Sequence, residues 1–138
     1  MNFLLDTNAV SEWVKARPNP GVIRWMESAD EDRVFLSVIS LAELRCGVER
    51  MPAGARRNRL EAWLRDELPL RFEGRILPVD DDVAGAWGRA VSRSEALGRP
   101  VRAMDAFLAA TAEIHRLTLV TRNVSDFPML KSVVNPWS

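Results

Sequence analysis

Four acidic residues flank the apolar segments of this sequence that read as buried strands. Asp6 ends the run NFLL, Glu43 lies in the first turn of the helix predicted after RVFLSV, Asp105 lies early in the helix before LTLVT, and Asp126 follows that strand. Carboxylates brought together repel one another unless a cation neutralises them. Mg²⁺ and Mn²⁺ prefer oxygen ligands and retain waters and substrate phosphate oxygens. If the four acids converge, they predict a hard-metal site suited to phosphate chemistry.

Alternating strand-like and helix-like segments provide the frame for these acids. The continuous apolar runs NFLL, RVFLSV, GRILPV, LTLVT and SVVNP predict strands of a sheet that is covered on both faces. Helical spacing of apolar residues is found in AVSEWVKA, NPGVIRWMESA, SLAELRCGVERM, ARRNRLEAWLRDEL, DDVAGAWGRAVSRSEAL and VRAMDAFLAATAEIHRL. This order predicts an α/β fold with a central, mainly parallel sheet flanked by helices. The carboxyl ends of parallel strands share one edge, where residues far apart in sequence can meet.

Length and composition narrow the class of protein. The chain of 138 residues is 47% hydrophobic, which fits one domain over residues 1–138 with its own core. Lys and Arg number 19, as do Asp and Glu, so no overall basic field indicates a nucleic-acid partner, although local patches can still bind one. The single cysteine excludes an internal disulfide, and no apolar run reaches membrane-spanning length. A soluble, cytoplasmic protein with no membrane partner is expected.

Several motifs together resemble a known family. The segments LLDTNAVSE, SVISLAELRCGVER, MDAFLAATAEIHRLTLVTRNVSDF and VVNPW are similar to those of the PIN-domain ribonucleases, in particular the VapC-type toxins of toxin–antitoxin pairs and their FitB-like branch. The resemblance spans nearly the whole chain. It implies a compact α/β/α fold and a metal-dependent endoribonuclease that holds one or two Mg²⁺ or Mn²⁺ ions. It also implies an RNA substrate, a homodimer, and a DNA-binding antitoxin encoded next to the toxin.

The resemblance also implies roles for individual residues. Asp6, Glu43 and Asp105 match the family's metal-binding carboxylates. The fourth acidic position varies within the stretch matching TRNVSDF, and because Asn123 is neutral here, either Asp126 fills it or the site has three acids with Asn123 nearby. Supporting roles are expected for Thr7, Asn8, Ser40, Thr121 and Asn123.

Each acid also has a purely structural interpretation. Asp6 can cap the helix that follows it, and Asp126 can cap a turn at Phe127. Ser40 and Glu43 have the spacing of a capping box, in which the two side chains satisfy free N–H groups at a helix start. A further acidic run directly precedes a predicted helix and is interpreted as a cap with first-turn charges, not as a metal cluster: Asp80, Asp81 and Asp82.

The remaining conspicuous side chains favour structural roles or phosphate binding. His115 lies near a helix end, where a ring that can carry positive charge suits the dipole, and Cys46 is expected to be a small buried side chain. Arg122 and Arg102 are the candidates for contacting RNA phosphates, although solvated helix faces also carry such residues, as do Arg56, Arg57, Arg59 and Arg99. The tryptophans are expected to pack in the core: Trp13, Trp25, Trp63, Trp87 and Trp137.

Two other functions fit parts of the sequence. The chain can be a catalytically inactive PIN-like module that binds RNA or a protein partner without cutting, but such a module has little reason to keep Asp6, Glu43 and Asp105 together. It can also be a phosphatase with an aspartate nucleophile at the first strand end. The triplet Asp6-Thr7-Asn8 lacks the second aspartate that such enzymes place two residues later, which disfavours the phosphatase.

Overall fold

The computed structural model describes residues 1–138 and contains one five-stranded sheet. The strands are β1 (Phe3–Leu5), β2 (Val34–Ser37), β3 (Ile76–Leu77), β4 (Thr118–Val120) and β5 (Val133–Val134). Their order is β3-β2-β1-β4-β5, and every neighbouring pair is parallel. The register places Leu5 beside Val120 and Ser37 beside Leu77, so these strands end at the same edge. The predicted α/β fold and parallel sheet are confirmed.

Helices connect the strands in the expected order. They are α1 (Thr7–Glu12), α2 (Pro20–Ser28), α3 (Val38–Glu49), α4 (Ala55–Ala62), α5 (Leu68–Arg71), α6 (Asp81–Ala96) and α7 (Ala103–His115). The segment predicted as one helix after residue 54 is helical throughout, but it contains a wide π-helical turn at Trp63–Glu67 between α4 and α5. Pro69 has no N–H to donate, and its ring crowds the carbonyl four residues earlier, which explains the widened turn. No helix has the length and apolarity to cross a bilayer.

The two faces of the sheet are covered by different helices. Leu5 and Val120 point to one face, where Ala9 and Val10 of α1 and Leu64 after α4 complete a buried cluster. The adjacent residues Leu4 and Leu119 point to the other face and pack against Leu108, Ala109 and Ala112 of α7 and against Phe127. Because side chains alternate along a strand, consecutive apolar residues fill both cores. Helix α6 packs on α7 through Val83, Ala86 and Ala110.

Helix starts confirm one predicted cap and correct another. Asp80 accepts a hydrogen bond from the Val83 N–H at 3.0 Å and caps α6, as expected. Helix α3, however, begins at Val38, and its cap is Ser37, which accepts from the Ile39 N–H at 3.0 Å. The prediction of a capping box formed by Ser40 and Glu43 is therefore wrong, because both residues lie inside α3. Glu43 belongs to the second turn of this helix. Cys46, expected to be buried, is exposed on the same helix.

Candidate functional site

Asp6 leaves β1 at its carboxyl end and is held by a tertiary hydrogen bond. It occupies the N-cap position of α1, yet its side chain makes no capping hydrogen bond. Its Oδ2 atom instead accepts a hydrogen bond of 2.6 Å from the hydroxyl of Thr121. Asp6 is 6% exposed, and Thr121 is fully buried. The side chain is thus fixed by a partner 115 residues away, which a simple helix cap does not require.

The parallel pairing of β1 and β4 brings Asp6 and Thr121 together. Leu5 and Val120 are register partners, so the next residue of each strand emerges at the same edge. The Asp6 N–H donates to the Val120 carbonyl at 2.9 Å, which continues the ladder by one step. The Thr121 hydroxyl oxygen also accepts from the Asn123 N–H at 3.1 Å. Backbone pairing therefore sets the position of the Thr121 hydroxyl that orients Asp6.

Glu43 is oriented by the residue that follows Asp6. The hydroxyl of Thr7 donates to Glu43 Oε1 at 2.7 Å and lies 3.1 Å from the Ser40 hydroxyl oxygen. Ser40 is fully buried one turn before Glu43 on α3, while Thr7 and Glu43 are half-buried. Thr7 thereby connects α1 to α3 at the edge where Asp6 lies. Thr7 and Thr121 thus bind two of the predicted acids and Ser40 contacts Thr7, and the supporting roles of these three residues stay predictions.

Asp105 is the third residue of α7 and is half-buried. Burial raises the pKa of its carboxyl, the charge of Arg102 lowers it, and the charges of Asp6, Asp126 and Glu43 raise it further. Arg102, directly before the first residue of α7, is thus near enough to offset part of the repulsion. Each of the other three predicted acids influences Asp105.

Asp6 is influenced by two of the other predicted acids. Burial raises the pKa of Asp6, hydrogen bonds from the Thr121 side chain and the Thr7 backbone lower it, and the charges of Glu43 and Asp126 raise it. A buried carboxylate with a raised pKa lacks a compensating positive charge, which either a proton or a cation can supply. Asp6, Glu43, Asp105 and Asp126 thus lie near enough for their charges to interact where β1 and β4 end, a region that we call the acidic edge.

The donor atoms fit a hard divalent cation in type. All four candidates offer carboxylate oxygens, the ligands that Mg²⁺ and Mn²⁺ prefer. The structure contains no group of three or more His, Cys, Asp or Glu side chains arranged closely enough to hold a metal ion by themselves. Magnesium commonly binds through one or two carboxylates and completes its shell with waters and substrate phosphates, so a tight protein cage is not required. Ligation by these acids stays a prediction.

The other predicted site residues lie around this edge with fewer contacts. Asp126 is exposed in a single helical turn, Val124–Asp126, and Asn8 and Asn123 are also exposed. Arg102 lines a groove of about 1100 Å³ together with Asp105 and Asp126. Asp126 and Arg102 are therefore next to the acidic edge, and Asp126 is accessible to a ligand from solvent.

Arg122 lies away from that groove and near a buried carboxylate that the sequence analysis missed. Glu12 is 2% exposed, accepts a 2.8 Å hydrogen bond from the Asn19 N–H and forms an ion pair with Lys15. Burial alone would raise the pKa of Glu12, but hydrogen bonds from Lys15 and Asn19 and the charges of Lys15 and Arg122 outweigh it and lower the pKa. Nothing in the spacing of α1 distinguishes this glutamate from an exposed one.

The raised pKa values predict a pH dependence of stability in the absence of metal. Because the folded-state pKa values of Asp6 and Asp105 lie above 3.8, their contribution to stability is complete below that pH and is lost as the pH rises through the folded values. An Asp6→Asn variant avoids this loss. In EDTA, we expect its melting temperature to exceed that of the wild type at about pH 7 and the difference to shrink toward about pH 4.

Thermal melts of both proteins across this pH range test the expectation. Asp32→Asn, at an exposed site before β2, is the matched control and should melt in parallel with the wild type. A constant difference between Asp6→Asn and the wild type at all pH values would show that Asp6 does not titrate abnormally.

Comparison with known proteins finds one matching family and several similar chains. Residues 3–128 match the family described as PIN domain. The chain is 39% identical over 136 residues to Toxin FitB of Neisseria gonorrhoeae, with 98% of both chains covered. It is 35% identical over 136 residues to VapC ribonuclease Y4jK of Sinorhizobium fredii, covering 98% of this chain and 97% of the relative. A solved structure of FitAB bound to an IR36 DNA fragment is similar with a TM-score of 0.90 and 36% identity, covering 99% of this chain and 96% of that one.

Proposed function

Because this chain belongs to the PIN-domain family, we propose that it is a Mg²⁺- or Mn²⁺-dependent endoribonuclease and the toxin of a type II toxin–antitoxin pair. Its similarity to a protein named as a toxin and to one named as a ribonuclease supports those two roles, and the proposed metal dependence rests on the carboxylates of the candidate site. The observation that carries it is the buried Asp6, which Thr121 fixes at the carboxyl end of β1 and whose charge interacts with those of Glu43, Asp105 and Asp126.

The proposal gives the four acids and their partners distinct tasks. Asp6, Glu43 and Asp105 are the metal-binding carboxylates, and Asp126 is the exposed fourth acid. The hydroxyl of Thr121 restricts Asp6 to one orientation. Such hydrogen-bonding partners typically affect metal affinity or activity by about 10- to 100-fold when removed. The corresponding contact from the Thr7 hydroxyl restricts Glu43.

The proposed reaction is hydrolysis of an RNA phosphodiester. When bound to the carboxylates, Mg²⁺ or Mn²⁺ lowers the pKa of a water molecule and stabilises negative charge on phosphate oxygens. The water oxygen forms a bond to phosphorus while the bond to the 3′-oxygen breaks, and the proton released from the water balances the proton gained by the 3′-oxygen. The products are a 5′-phosphate and a 3′-hydroxyl. Arg102, whose charge acts on Asp105, is the proposed ligand of a phosphate oxygen, and no side-chain nucleophile is needed.

A cognate antitoxin is the proposed protein partner. The similar structure of FitAB bound to DNA supports a partner that binds DNA, and a neighbouring gene is the expected source. The antitoxin would cover the acidic edge with a basic side chain, because a cation there offsets the repulsion of the carboxylates. Assembly as a homodimer stays a prediction.

Metal removal tests the proposed activity. We expect purified protein, freed of antitoxin, to cleave RNA in Mg²⁺ or Mn²⁺, to lose all cleavage in EDTA, and to regain it when excess metal is restored. Gel analysis of end-labelled RNA measures the cut and shows whether the new ends are a 5′-phosphate and a 3′-hydroxyl. Undiminished cutting in EDTA would disprove the metal mechanism. RNA binding without cutting at any metal concentration would favour the inactive binding module.

A further inference from the structure

Two clefts on the protein surface are lined by cationic side chains. The first, which we call the α7 groove, has a volume of about 1100 Å³ and includes Asp105 and Asp126 in its lining. The second, the C-terminal cleft, has a volume of about 720 Å³ and is formed by the α1–α2 connection and the last residues of the chain. The cations of the α7 groove are Arg89, Arg93, Arg99, Arg102, Arg116 and Lys131. Those of the C-terminal cleft are Lys15, Arg17 and Arg122.

The two clefts lie on opposite faces of the sheet. Trp13 and Trp137 pack on the face of Leu5, which is the side of α1 and of the C-terminal cleft. Met129 and Leu130, which line the α7 groove, pack on the face of Leu4 together with α7. The turn after β4 connects the clefts, because Arg122 lines one of them and Asp126 lines the other. Arg122 directly follows Thr121, which binds Asp6, so the turn that carries the acidic edge borders both cationic clefts.

The charge of both clefts differs from that of the whole protein. The chain has a formal net charge of zero, yet the α7 groove has six cationic side chains against three acidic ones, Asp105, Glu113 and Asp126. Two of those three belong to the proposed metal site. The C-terminal cleft has three cationic side chains against Glu12 alone. Cations concentrated beside an acidic metal site suit a polyanion that must approach carboxylates.

Several of these cations are available for a ligand. Arg17 and Arg122 in the C-terminal cleft form no ion pair within the protein, and neither do Arg93 and Arg99 in the α7 groove. Glu12, buried at the base of the C-terminal cleft, pairs with Lys15 and anchors the Asn19 backbone. It thereby fixes the wall of the cleft, and although its charge attracts that of Arg122, it forms no ion pair with either arginine.

We propose that the RNA crosses the acidic edge as a flexible single strand, with phosphates on one side of the cut held in the α7 groove and those on the other side held in the C-terminal cleft. This inference rests on the proposed function. A path from one face of a sheet to the other bends sharply, which a stiff double helix resists over a few base pairs. Contacts through phosphates position a strand without reading its sequence, so this binding is independent of sequence.

Equilibrium binding in EDTA tests the two-cleft path separately from cleavage. The probe is a fluorescent single-stranded oligouridylate of about 12 nucleotides, a length within the usual range of single-strand sites. Arg17→Ala removes one cation of the C-terminal cleft, Arg99→Ala removes one of the α7 groove, and the double variant removes both. Arg33→Ala, at the start of β2 on the opposite edge of the sheet, is the matched control.

Each single cleft variant should weaken binding several-fold and reduce the slope of log affinity against log salt by about 0.7, and the double variant should reduce it by about 1.4. Arg33→Ala should bind as the wild type does, and an RNA duplex of the same length should bind more weakly. The inference is overturned if substitution in only one of the two clefts weakens RNA binding, or if Arg33→Ala weakens it as much as the cleft variants do. It is also overturned if the duplex binds the wild type as tightly as the single strand does. Loss of metal-dependent cleavage with both clefts binding RNA would count against the proposed activity alone.

Discussion

The Asp6→Asn variant is expected to lose about 100-fold or more of the RNA cleavage rate while remaining folded, because a ligand should matter at least as much as the groups that orient it. Asparagine keeps the shape of the side chain and an oxygen that can accept the Thr121 hydrogen bond. It removes the negative charge that attracts a divalent cation to the proposed site. Since burial disfavours that charge, the substitution should raise the metal-free melting temperature at about pH 7.

Growth and cleavage both report on this variant. Expression of the wild type without its antitoxin should arrest growth, and Asp6→Asn should relieve the arrest. Asp32→Asn, which removes an exposed carboxylate before β2, should stay toxic and cut RNA at the wild-type rate. Toxicity or cleavage that persists in a folded Asp6→Asn protein would exclude Asp6 as an essential ligand.

The second large effect is expected at Glu43. Glu43→Gln keeps the length of the side chain and an oxygen for the Thr7 hydroxyl, but it removes one negative charge. Mn²⁺ affinity and RNA cleavage should each fall by about 10-fold or more, while the metal-free melting temperature stays the same or rises as carboxylate repulsion decreases. Melts with and without Mn²⁺, run beside cleavage assays, measure these three quantities.

Thr7→Val is the matched comparison for Glu43→Gln. It removes the hydroxyl that donates to Glu43 Oε1 and keeps the charge of Glu43. Its effect on Mn²⁺ affinity should therefore be smaller than that of Glu43→Gln. Glu43 is only a structural residue of α3 if Glu43→Gln lowers the metal-free melting temperature yet retains full cleavage and full stabilisation by Mn²⁺.

The sequence was sufficient to place Asp6 after a strand and Asp105 at a helix start because continuous apolar runs define a parallel sheet. Asp6 directly follows such a run, and Asp105 lies in the first turn of a helix whose apolar pattern is plain. The rule that parallel strands end at a common edge then predicts that the two residues meet. The sequence could not decide where α3 begins, since Ser37 and Ser40 are both suitable caps. The end of β2, paired through Ser37 with Leu77, decides in favour of Ser37.

Contacts between distant residues were beyond the sequence. The hydrogen bond from Thr121 to Asp6 and that from Thr7 to Glu43 depend on strand register and on the packing of α1 against α3. Burial of Glu12 was missed because a glutamate on a short amphipathic helix usually faces solvent. Its pairing with Lys15 and Asn19 appears only when the α1–α2 connection is folded. The contacts of Thr121 and Thr7 orient the carboxylates of the candidate site, and those of Glu12 fix the wall of the C-terminal cleft.

Direct measurement of Mn²⁺ binding tests the central claim most closely, because it detects the proposed metal site without depending on an RNA target. Electron paramagnetic resonance of free Mn²⁺ in a titration gives the affinity of each protein. We expect the wild type and Asp32→Asn to bind Mn²⁺ equally well, and Asp6→Asn to bind it at least ~10-fold more weakly. Equal Mn²⁺ affinity in the wild type and in a folded Asp6→Asn protein would contradict a metal centre at this edge of the sheet.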